Sequence, residues 1–72
     1  MAPVGTTHVK QFPGGHWFLR DVQAENFDTV RATVWDEKAG RWGADVSHFM
    51  AKGLITIEVF SLLAEIDPIW TE

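Results

Sequence analysis

The sequence predicts a small α+β domain, an antiparallel sheet of three or four strands with a short C-terminal helix. Three observations lead there. TVRATVW (29–35) carries four β-branched residues in seven, the clearest strand signal in the chain. FPGG (12–15) and DEKAG (36–40) read as hairpin turns between strand-like runs. Near the C-terminus, the alternation of Ile55, Ile57 and Val59 gives way to Leu62, Leu63 and Ile66 at helical spacing. An all-β meander or small barrel is the alternative architecture.

Seventy-two residues make a single domain, 1–72, with no room for a second. A composition of 46% hydrophobic and 22% charged residues marks it as globular rather than disordered. A chain this short buries only about 60% of its unfolded surface. Its stability margin is thin, and association with a partner or another copy is a common remedy. Residues 1–6 are expected to form a flexible N-terminus and 67–72 an acidic C-terminal tail.

A short strand near 7–12 leads into FPGG. There Pro13 presets φ for the first turn position and Gly14 supplies a positive φ for the second. A strand near 16–22 follows. AENFD (24–28) reads as a connection in which Asn26 and Asp28 bond their own backbone. The next strands lie near 29–36 and 41–46, joined by a four-residue loop, Glu37 to Gly40, with Gly40 left-handed. That register sets Asp36 against Arg41 and Trp35 against Trp42, each pair contributing roughly 0.2–1 kcal/mol. The two strands disagree about the buried face. Residues 29–35 favour the face of Val30, Ala32 and Val34, whereas 42–47 favour the face of Trp42, Ala44 and Val46. A sheet wetted on one side alternates cleanly, so both faces are expected to be at least partly covered, by a helix or another molecule.

SHFMAKG (47–53) has two readings. Ser47 can cap a helical turn that Gly53 ends, or AKG can be a three-residue hairpin loop. The helical turn is preferred, because the hairpin register sets Ile57 against Ser47. The β-branched residues Ile55, Thr56 and Ile57 favour a strand over 54–60, and a helix follows over 61–66. Pro68 disfavours helical geometry at Asp67 and ends it.

Composition excludes several function classes. There is no cysteine, hence no disulfide framework and no thiol nucleophile. The start, MAPVGTTHVKQF, has neither a basic leader nor an apolar core, so no signal peptide is expected. No apolar run reaches the ~20 residues of a membrane span. A cytoplasmic location without membrane contact is the expectation. The net charge is −4, and residues 53–72 hold Glu58, Glu65, Asp67 and Glu72 but no lysine or arginine. Direct nucleic-acid binding needs a basic patch that is not visible. Arg31, Arg41, Trp35 and Trp42 resemble a single-strand stacking platform, but Asp36, Glu37 and Asp45 would repel phosphate.

No catalytic constellation is legible. His8, His16 and His48 lack close metal-ligand spacing, so no metal and no cofactor are expected. Ser47 next to His48 is not evidence of a nucleophile and its base. The turn glycines follow no phosphate-cradle pattern. The aromatics carry the information. Four tryptophans and five phenylalanines exceed what so small a core holds, and aromatic residues and arginine dominate binding hot spots. Trp17 is assigned to the core, and Trp70 to a contact with a partner or another copy.

The expected function is therefore non-enzymatic: a small protein-binding or regulatory module acting through exposed aromatics, with an inhibitor as its narrower form. Trp35, Trp42 and Trp70 are its anchors, with Arg31 and Arg41 at the rim. Homo-oligomerisation through the acidic C-terminal segment is expected alongside it. The alternatives are an acidic, phage-type inhibitor imitating nucleic acid through Glu58, Glu65 and Asp67, and a structural subunit of a larger complex.

Overall fold

The computed structural model describes residues 2–66. Six strands run in chain order: β1 (His8–Phe12), β2 (Gly15–Ala24), β3 (Thr29–Asp36), β4 (Arg41–Trp42), β5 (Ser47–Met50) and β6 (Leu54–Thr56). Helix α1 (Ile57–Ile66) follows directly. All pairings are antiparallel, in the order β4-β3-β2-β1-β6, with β5 also paired to β3. The small α+β class and the C-terminal helix hold, but the sheet has more strands than the three or four expected.

The turns follow their residue chemistry. Pro13 and Gly14 connect β1 to β2, with Gly14 at φ +94°. Asn26 Oδ1 accepts from the amides of Asp28 (3.2 Å) and Thr29 (3.1 Å), closing the β2–β3 connection. Gly40, at φ +67°, ends the β3–β4 loop, and the amide of Ala39 donates to Asp36 Oδ1 at 3.0 Å. The ladder pairs Trp35 with Trp42 and Asp36 with Arg41, as expected.

Three expectations are corrected. The strand expected over 41–46 ends at Trp42, where the chain leaves the ladder. The amide of Gly43 donates to Val34 O at 2.9 Å, an approach that leaves little room for a side chain. Residues 47–50 rejoin β3 as β5, so SHFM is strand and not the preferred helical turn. Backbone pairing to β3 outweighs the local cap signal at Ser47. Finally, α1 starts at Ile57 rather than near 61. The β-branched run yields because helical spacing brings Phe60 into the core and aligns Leu63 and Ala64 with it.

The sheet is strongly curled. β5 lies beside β3 and β6 beside β1, yet only residues 51–53 join them. In a flat sheet, strands sit about 4.8 Å apart, so β5 and β1 would be separated by two intervening strands. Instead the Lys10 ammonium of β1 lies 5.9 Å from the Phe49 ring of β5. It donates to Met50 O at 2.8 Å and also to Lys52 O. The amide of Gln11 donates to Gly53 O at 2.8 Å, fixing the same join. Gly53 takes φ +83°, and a Cβ there would stand 2.2 Å from Gln11 O. Only glycine fits this point without moving backbone.

Curling gives the sheet two covered faces and resolves the disagreement between strands. Directly paired residues share a face. Leu19, Val30 and Ala32 lie on the concave face, where the sheet wraps around them and buries them. Val9 and Phe18 lie on the convex face, where Phe60 of α1 completes a buried cluster. Trp35, Trp42, Ile55, Ile57 and Ala2 pack around that cluster. Residues 2–6 turn over the same face, with Thr6 Oγ1 donating to Pro3 O at 2.7 Å. A bulge in β2 places one extra residue between Arg20 and Gln23, and Asp21 there adopts φ +55°.

Candidate interaction surface

Side-chain alternation in β2 sends Trp17 and Phe18 to opposite faces. Phe18 takes the convex core. Trp17, assigned to the core from sequence, is instead 44% exposed at the rim of the concave face. The reason is register: Trp17 pairs with Lys10, whose ammonium is committed to the β5–β6 turn rather than to covering the indole.

Trp17 belongs to an aromatic row. Phe12 stands 4.9 Å from it and Phe49 6.1 Å, both measured between ring centroids. Phe49 comes from β5, two strands away from β2, so the row exists only because the sheet curls. Trp17, Phe49, Val34, Ser47 and His48 line an open groove of about 230 Å³. The groove is lined mainly by the apolar side chains of Trp17, Val34 and Phe49. On the opposite face of β5, His48 Nδ1 meets Glu25 Oε1 at 2.7 Å. Phe27 at the tip of the β2–β3 connection and Met50 on β5 are also exposed.

The residues expected to anchor a partner are placed differently. Trp35 and Trp42 meet edge to face at 5.3 Å and are half-buried against the convex core. The Arg20 guanidinium covers the Trp42 ring at 4.8 Å. Arg31 donates from Nε to Gln23 Oε1 at 3.0 Å. Arg41 pairs with Asp36, so it points to the opposite face from Trp42. The structure therefore joins Trp35 to Trp42 but does not gather the two arginines around them. Trp70 and Asp67 lie outside the described residues. Glu58 and Glu65 are exposed on α1 and line one shallow groove with Ile57, Ser61 and Leu62.

Ser47 and His48 are successive strand residues and face opposite ways. The His48–Glu25 pair has the geometry of an oriented imidazole, but both groups are solvent-accessible, and among the described residues no hydroxyl bonds to it. His16 packs between Phe18 (5.1 Å) and Phe60 (5.0 Å), and His8 contacts Thr7 Oγ1 at 2.9 Å. Among the described residues, no group of three histidine or carboxylate side chains is placed to hold a metal ion. No helix among them is long and apolar enough to cross a membrane.

No family model, no curated protein and no solved structure matches this chain.

The sequence carried one usable signal for the Trp17 surface. Consecutive Trp17 and Phe18 in a strand require that one of them leave any given core. Which one leaves depends on the register with β1, and Phe49 joins the row only through long-range pairing to β3.

Proposed function

We propose that this protein is a non-catalytic binding module that recognises another protein through exposed aromatic side chains, with Trp17 as the principal anchor. The observation that carries this reading is the 44% exposure of Trp17 between Phe12 and Phe49, beside an open apolar groove. A large aromatic side chain held by the scaffold loses little conformational entropy on binding and contributes a large contact area. Trp35 and Trp42 are supporting elements of the module, since their burial commits them first to the fold. The mode of action is occlusion of the partner's surface, which makes the protein a regulator or inhibitor. The cysteine-free composition supports a cytoplasmic setting.

The test is affinity capture from the source cells with the full chain, comparing wild type with Trp17→Ala, followed by titration of the purified partner. Retention of the native far-UV spectrum with about tenfold or greater loss of affinity is expected. Equal binding by the two proteins would remove Trp17 as the anchor.

A further inference from the structure

We infer that the outer face of α1 is a second docking surface, and that its occupant is a cationic amphipathic segment of a partner protein. Helix α1 turns Phe60 inward, with Leu63 and Ala64 on the same side. Its outer side presents Val59 at 43% and Leu62 at 55% exposure. Leu62 lies in a shallow groove with Ile57 and Ser61, and Glu58 and Glu65 stand at its two ends. Seven residues along a helix span about 10 Å, so the carboxylates bracket a contact about two turns long.

Two local features run against the helix's own stability. Exposed Val59 and Leu62 leave apolar area in water. Glu65 sits in the last turn, where the helix dipole disfavours negative charge, and that turn has no basic residue. Among the described residues, neither Glu58 nor Glu65 has a salt-bridge partner. A partner segment with an apolar side chain against Leu62 and lysine or arginine at both ends relieves both conflicts. Charge decides against a second copy. A two-fold antiparallel pairing of α1 about Leu62 would bring Glu58 of one chain beside Glu65 of the other, twice. The helix contains no lysine or arginine to offset the repulsion.

The probe is a synthetic leucine–lysine amphipathic peptide, with a leucine–glutamate peptide of the same pattern as control. Both are titrated into the isotopically labelled full chain and followed by amide chemical shifts. The expected result is saturable binding of the lysine peptide alone, with the largest shifts on residues 57–65. Glu58→Gln/Glu65→Gln should weaken it roughly three- to tenfold, and Leu62→Ser about tenfold. Glu37→Gln/Asp45→Asn removes the same charge elsewhere and should leave affinity unchanged. Equal weakening by the two double variants would reduce the effect to net charge and overturn the inference. So would shifts centred on Trp17, no binding at all, or a concentration-dependent dimer that Leu62→Ser dissociates. The Trp17 reading stands apart, because Trp17→Ala should not alter this peptide's affinity.

Discussion

Trp42 and Trp17 are both strand residues with an aromatic neighbour at a similar distance, Trp35 at 5.3 Å and Phe12 at 4.9 Å. Their surroundings differ. Trp42 lies on the convex face, packed against the Val9–Phe18–Phe60 cluster and covered by Arg20. Trp17 lies on the concave face near the Pro13–Gly14 turn, and 44% of it remains exposed. A tryptophan pair predicted from hairpin register thus serves mainly to close a core. The tryptophan assigned to the core is the one left exposed. Aromatic content alone does not say which tryptophan is exposed; the face and its covering do.

Substitutions test this comparison in descending order of expected effect. Phe18→Ala removes the centre of the convex cluster and should cost about 3–5 kcal/mol. A domain of this size has total stability on the order of 5 kcal/mol, so urea unfolding should find the variant largely unfolded at 25 °C. A stable Phe18→Ala protein would mean that the convex face is not the main core. Gly53→Ala attacks the curl that creates both faces. Left-handed strain and the contact with Gln11 O should together destabilise by roughly 2–4 kcal/mol in thermal unfolding. A change within experimental error would show that the β5–β6 join tolerates movement.

Trp42→Ala should cost about 2–3 kcal/mol, because it empties a half-buried site and leaves Trp35 without its cross-strand partner. Trp17→Ala should cost only about 1 kcal/mol, mostly lost contact with Phe12 and Phe49. Parallel denaturant titrations give both numbers. If Trp17→Ala proves as destabilising as Trp42→Ala, the distinction between a structural and an exposed tryptophan disappears.

Much of the fold is legible along the chain. Pro13–Gly14, Asn26 and Gly40 each specify a turn through local geometry, and the Trp35–Trp42 register follows from counting residues across the Glu37–Gly40 loop. Even the clash between the valine face of 29–35 and the tryptophan face of 42–47 was informative, since both faces are covered. The misses lie where distant partners decide. Ser47–Met50 becomes strand because β3 offers an edge, and Ile57–Val59 becomes helix because Phe60 fits between Val9 and Phe18. Of the expected anchors, Trp35 and Trp42 are adjacent as read, while Arg41 faces away from them and Arg31 is held by Gln23. The Trp17 row depends on Phe49, thirty-two positions away in sequence, and no local pattern brings the two together.

By itself the sequence determined the size class, the turns, one hairpin register and the acidic character of the C-terminal segment. These depend on residue identity, short-range backbone geometry and formal charge. Tertiary structure alone decided which of two adjacent aromatics is buried, that residues 47–50 extend the sheet, and that the two sheet edges meet across three residues. The last of these rests on the Gln11–Gly53 contact and the Lys10 ammonium on the β5–β6 turn. Such interactions join residues about forty positions apart, and no local propensity encodes them.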